Sequence, residues 1–149
     1  MAAITGSSVA EIDASIDVVW KVVEDVLSAP DWQGGLKDIV ELERDEEGHV
    51  TRVESFSDAK VRTIKSVVRF EYEGPTRLRW SQVEGELKSV EGSWELTELG
   101  AGRTRATYSL DVELGRMLGM VIRGPLVDVL RGQLVNARAG ELKQRVEGG

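Results

Sequence analysis

The segment from residue 125 to 146, PLVDVLRGQLVNARAGELKQRV, most limits what this chain can become. Val127, Leu130, Leu134, Val135, Ala139, Leu142 and Val146 recur at helical spacing, with Asp128, Gln133, Asn136 and Lys143 on the other side. The pattern predicts one long amphipathic helix. It follows a run of strand-like segments instead of alternating with them, which predicts an α+β fold with the helix laid across a largely antiparallel sheet as a lid.

Upstream, residues 8–12 alternate weakly, with Val9 and Ile12 as apolar members, and are expected to form an edge strand. Ser15 suits an N-cap and Asp17 a first-turn acid. Val18, Val19, Val22, Val23 and Val26 then share a helical face against Lys21, Glu24 and Asp25. The β-branched side chains favour strand, but the period is that of a helix. A second short helix is expected over residues 28–32, closed by Gly34-Gly35. From residue 36 onward, strands and turns alternate. Residues 39–44 and 50–57 flank the turn Asp45-Glu46-Glu47-Gly48. In residues 61–72, Ile64, Ser66, Val68, Phe70 and Tyr72 share a face. In residues 77–84, Leu78, Trp80 and Gln82 do so, followed by Val90, Trp94 and Leu96, and then Tyr108, Leu110, Val112 and Leu114. One sheet face is therefore apolar and aromatic and the other charged, and the apolar face needs a cover. Residues 115–124 (GRMLGMVIRG) fit either a loop with a helical turn or an early start of the long helix. Gly148-Gly149 is expected to fray.

A chain of 149 residues without cysteine fits a single domain, residues 1–149, with a core that needs no disulfides. No apolar run approaches the roughly 20 residues that span a bilayer, and the N-terminus lacks the pattern of a secretion signal. The expectation is a cytoplasmic protein without stable membrane insertion. A net charge of -7 argues against a nucleic-acid partner. The charge is uneven: residues 1–114 hold 13 basic and 23 acidic side chains, residues 115–149 hold 6 and 3. A solvated helix face accounts for this, or else Arg116, Arg123, Arg131, Arg138 and Arg145 serve a transient contact with an anionic membrane.

The aromatic face holds Phe70, Tyr72, Trp80, Trp94 and Tyr108, with Trp32 near its expected entrance. Such a set forms either a plain core or the wall of a ligand pocket. Ser55, Ser66, Gln82 and Lys88 are the inward polar candidates, and Glu54 is ambiguous in facing. The single histidine, His49, sits in a turn away from this face, so no catalytic base is assigned. No metal-ligand spacing, Gly-rich phosphate loop or other cofactor signature is present. Arg138 and Arg145 have helical spacing to pair with Glu141. Alternatively, Arg131 or Arg138 reaches the cavity and binds a carboxylate or phosphate.

Residues 8–32, SVAEIDASIDVVWKVVEDVLSAPDW, resemble the opening of the START-like (SRPBCC) superfamily, within it the polyketide cyclase/dehydrase group. GSWEL at 92–96, RTRATY at 103–108 and ELK at 141–143 resemble its penultimate hairpin and last helix. The resemblance implies a helix-grip fold: a curved seven-stranded antiparallel sheet wrapped around a long C-terminal helix, with two short helices between strands 1 and 2. It also implies an internal cavity for a hydrophobic small molecule, lipid or polyketide-like. Trp32, Ser66, Phe70, Trp80, Gln82, Trp94, Tyr108, Leu130, Leu134 and Arg138 are the expected cavity residues. Three functions stay open: binding or transport of such a molecule, aromatase/cyclase or dehydratase chemistry, and a protein-interaction module of the stress or toxin-antitoxin kind. The oligomeric expectation is monomer or homodimer, with Met117, Leu118, Met120, Val121 and Ile122 closing the pocket, packing in the core or making a dimer contact.

Overall fold

The structure is a computed structural model that describes residues 3–148; Gly149, expected to fray, lies outside the described residues. Seven antiparallel strands form one sheet in the order β1-β7-β6-β5-β4-β3-β2. They are β1 (Ala3–Ile12), β2 (Leu36–Arg44), β3 (Val50–Asp58), β4 (Thr63–Glu73), β5 (Arg77–Gly85), β6 (Ser89–Gly100) and β7 (Arg103–Glu113). Consecutive strands from β2 to β7 are neighbours, and β1 returns to pair with β7. The first strand is an edge strand, as expected, but it begins earlier, at Ala3. Its facing also corrects the sequence reading. Val9 is 58% exposed and Ile12 fully buried, because an odd and an even position cannot point to one side of a strand.

Between β1 and β2 come α1 (Ile16–Glu24) and a 3-10 turn (Val26–Asp31). The Ser15 hydroxyl accepts the Val18 N–H at 3.4 Å, capping α1. Val19 and Val23 are buried as expected, whereas Val18 faces solvent and Trp20 takes a place in the core. The second short helix is of the tighter 3-10 kind and holds Pro30 inside it.

After β7, residues 115–124 resolve as a separate helix, α2 (Gly115–Val121). Gly124 separates it from the C-terminal segment with φ of 62°, a backbone setting that favours glycine. The apolar run on α2 divides. Leu118 and Ile122 are buried, while Met117, Met120 and Val121 are exposed.

The C-terminal segment is helical throughout but not uniformly α. It runs as α3 (Pro125–Arg131), a π-helical turn (Gly132–Asn136) and α4 (Arg138–Gly148). The reason lies in the spacing of its buried residues, Leu130, Val135, Ala139 and Leu142. At 3.6 residues per turn, Leu130 and Leu142 would point about 120° apart. The wider π turn absorbs one residue and brings both onto the sheet side. Gly6 on β1 lets this turn approach, since a Cβ there would meet Val135 at 3.3 Å.

Two apolar clusters result. One, with Ile12, Val19, Trp20, Trp94 and Leu142, lies beneath α1 and α4. The other, with Ile4, Ile64, Val112, Ile122 and Leu130, lies beneath α2 and α3. The candidate site is the space between them.

Candidate functional site

Between the inner sheet face and the long helix lies a cavity of about 170 Å3. An apolar cavity near this size accommodates a single aromatic ring. Drug-sized ligands occupy roughly 300–1,000 Å3, so a larger occupant requires the wall to move.

Strand register builds the aromatic wall. Phe70 on β4 pairs with Trp80 on β5, Trp80 pairs with Gly92 on β6, and Trp94 on β6 pairs with Tyr108 on β7. A side chain at Gly92 would overlap the Trp80 indole, so glycine there lets that ring lie across the strand toward Tyr108. Ring centroids are 6.1 Å apart for Phe70 and Trp80, 5.6 Å for Trp80 and Tyr108, 4.8 Å for Tyr108 and Trp94, and 6.2 Å for Trp94 and Trp32. The tilted pairs favour edge-on contacts, and the series carries the aromatic surface from mid-sheet to the 3-10 turn.

Nine of the ten expected residues line the cavity: Trp32, Ser66, Phe70, Trp80, Trp94, Tyr108, Leu130, Leu134 and Arg138. Gln82 does not. Its Oε1 accepts from Ser66 Oγ at 2.8 Å and its Nε2 donates to the Leu87 carbonyl at 2.9 Å, which ties the β5–β6 turn to β4. Ser55 also lines the cavity and donates to the Ser66 carbonyl at 3.1 Å. Lys88 is exposed and pairs with Glu113 at 3.6 Å. Glu54 lies outside the cavity lining, because its neighbours Val53 and Ser55 take the inner positions opposite Val68 and Ser66. Sequence reasoning did not find the contribution of Val23, Val26 and Ala29 from the first helix and the 3-10 turn.

Arg138 is the one arginine of the long helix in the cavity wall. It is 3% exposed, with Cζ 5.6 Å from the centre of the Tyr108 ring. Its Nη1 donates to Glu141 Oε1 at 2.7 Å and to the Gly34 carbonyl at 3.0 Å. Glu141 Oε2 in turn accepts the Gly34 N–H at 2.9 Å. Arg131 instead pairs with Asp128 at 2.8 Å and donates to the Thr5 carbonyl outside the cavity. Burial pushes the Tyr108 phenol above its ordinary pKa, against the opposing pull of Arg138, so Tyr108 is a neutral donor at physiological pH.

The other titratable lining residues are Asp25 and Asp58. Asp25 is exposed, and Asp58 Oδ1 accepts the Lys60 N–H at 2.8 Å. His49 lies outside the cavity lining. It stacks on Tyr72 at 4.4 Å, and its backbone N–H reaches Asp45 Oδ1.

A curved antiparallel sheet closed by a C-terminal helix over an apolar, aromatic cavity defines a helix-grip domain of the START-like class. The family described as polyketide cyclase / dehydrase and lipid transport matches residues 12–138. The chain belongs to that family. A START superfamily protein from Mycobacterium smegmatis superposes with a TM-score of 0.81 at 22% identity, covering 97% of each chain. A Thermus thermophilus protein gives 0.79 at 17% identity, over 99% of this chain and 98% of that one. The Zhui aromatase/cyclase from Streptomyces sp. R1128 gives 0.67 at 20% identity, over 99% and 86%. At these identities the likeness is one of fold. No curated protein matches the sequence. Among the described residues, no helix is long and apolar enough to cross a membrane.

Proposed function

We propose that this protein binds a hydrophobic small molecule, lipid or polyketide-like, in the cavity between sheet and long helix. The observation that carries the reading is the continuous row of Phe70, Trp80, Tyr108, Trp94 and Trp32 along a space no side chain fills. Packed interiors rarely leave such space, and an apolar cavity gains free energy when an apolar group enters it. Trp32, Ser66, Phe70, Trp80, Trp94, Tyr108, Leu130, Leu134 and Arg138 are the contacts in this proposal.

Binding is favoured over catalysis by the state of the polar groups. Neither lining carboxylate is buried, and the Ser66 hydroxyl is occupied by Gln82. Tyr108 is held protonated and cannot act as a base at neutral pH. An aromatase/cyclase reading, to which the fold of the Zhui enzyme lends support, would rest on Tyr108 and Arg138 polarising a carbonyl.

Native mass spectrometry of the purified protein, followed by solvent extraction, tests the binding reading. A ligand at 100 times its Kd stabilises by about 2.7 kcal/mol. A protein that carries no extractable compound, and that no member of an apolar panel stabilises, overturns it.

A further inference from the structure

We infer that the occupant of this cavity presents a neutral carbonyl-class oxygen to two N–H donors in the wall, Trp32 Nε1 and Arg138 Nε. The inference rests on the proposed binding function and adds the chemical class of the ligand. Among the described residues, these two atoms are the buried side-chain nitrogens and oxygens that have no hydrogen-bond partner. Both belong to residues that line the cavity. A buried donor without an acceptor costs free energy comparable to a lost hydrogen bond, and native proteins retain few of them. Two of the wall hydroxyls, by contrast, have partners within the protein: Ser66 with Gln82 and Ser55 with the Ser66 carbonyl. What Trp32 Nε1 and Arg138 Nε offer a ligand is a pair of donors.

Charge decides which acceptor fits. The Arg138 guanidinium is already matched by Glu141 at 2.7 Å, so the pair brings no net positive charge to the cavity. The remaining charged lining residues, Asp25 and Asp58, are acidic. A carboxylate ligand would leave water for a wall without a free cation, a poor exchange for a full charge. The oxygen of a ketone, ester or amide accepts the same N–H groups and carries no charge. This favours the Arg138–Glu141 pairing that helical spacing offered over the alternative of a carboxylate or phosphate at Arg138.

The test compares three ring-sized probes, propylbenzene, propiophenone and 3-phenylpropanoate, by calorimetric titration at neutral pH. The expected order places propiophenone about tenfold tighter than the hydrocarbon and tighter still than the carboxylate. Trp32→Phe keeps an aromatic ring at this position and the Arg138–Glu141 clip but removes one donor. It should weaken propiophenone several-fold more than it weakens propylbenzene. The same variant assigns the Trp32 indole N–H in the proton–nitrogen NMR spectrum, and that peak should move downfield with the ketone but not with the hydrocarbon. Equal binding of ketone and hydrocarbon, preference for the carboxylate, or a Trp32→Phe loss shared by all probes overturns this inference and leaves cavity binding standing. Binding of none of the three overturns both.

Discussion

Glu141 holds the backbone N–H of Gly34 at 2.9 Å from within α4. Arg138, one turn earlier, holds the carbonyl of the same residue at 3.0 Å. A single loop residue after the 3-10 turn is thus clamped at both its peptide groups by one ion pair on the long helix. This clamp joins the loop after the 3-10 turn to the long helix across a sequence separation of 104 residues. It also explains why a nearly buried arginine is tolerated: its charge and one of its nitrogens are matched inside the fold.

The two halves of the clamp should not contribute independently. Glu141→Gln leaves the Arg138 charge buried without its partner and is expected to destabilise by about 2 kcal/mol, discounted for the partial exposure of Glu141. Arg138→Met leaves Glu141 with the Gly34 N–H alone. The double variant should lose at least about 1 kcal/mol less than the sum of the singles. Urea unfolding of the four proteins measures this, and strict additivity would mean the clamp does not act as a unit.

Filling the cavity from the helix side tests the binding site without touching its polar groups. Leu134 lines the cavity and is only half-buried, so Leu134→Trp has room to fold. The larger side chain should lower affinity for apolar ligands by at least about tenfold while shifting stability by less than about 2 kcal/mol. Undiminished ligand stabilisation in this variant would place the ligand elsewhere.

Gly92 should accept no side chain while Trp80 lies over it. Gly92→Ala is expected to destabilise by about 1–3 kcal/mol, since the added methyl meets the indole. Trp80→Phe in the same chain should recover part of the loss by shortening the ring. Unfolding midpoints settle the point, with intrinsic fluorescence reporting the displacement of Trp80.

The protein has two tyrosines, Tyr72 and Tyr108, and burial is the chief cause raising the pKa of each. Tyr72 further donates to the Val50 carbonyl at 2.5 Å. A folded-state pKa above the unfolded value of about 10 contributes stability that is complete below that pH and is lost as pH rises beyond it. Absorbance titration of the native protein should show no tyrosinate near pH 10, then a rise of both residues together as the protein unfolds. A normal titration of either residue in the folded protein contradicts this.

Acid should loosen the other end of the long helix first. Glu147 Oε2 accepts from Lys143 Nζ at 2.7 Å and from the Asp13 N–H at 2.8 Å, and these bonds hold its carboxyl below the usual range. A depressed folded pKa contributes stability above the unfolded pKa and loses it as pH falls through the folded one. The Asp13 amide resonance should therefore titrate below the roughly 4.3 of a free glutamate. Glu147→Gln should abolish that titration, and an unchanged profile would assign it to another group.

The period-2 alternation of 64, 66, 68, 70 and 72, of 78 and 80, of 90, 94 and 96, and of 108, 110, 112 and 114 was enough to identify the inner face of β4 to β7. Side-chain direction in a strand follows position in the chain, so the sequence carries it directly. The same logic made the amphipathic C-terminal segment readable as the cover. What sequence could not carry was anything set by contact between distant segments. Gln82 shares the inner parity of Trp80, yet its amide is taken up by Ser66 and Leu87 beside an irregularity in the β4–β5 register. Val9 and Val18 are apolar by type but point to solvent, because the facing of a short segment depends on what packs against it. The long helix looked regular until its register was set against the sheet, where a π turn had to take up one residue between Leu130 and Leu142. Arg131 and Arg138 were both cavity candidates by spacing. Arg138 alone of the two entered the wall, where Gly34 from the loop after the 3-10 turn and Glu141 from the helix meet it. Local periodicity determined the faces; the tertiary fold decided which donors on those faces were left without a partner.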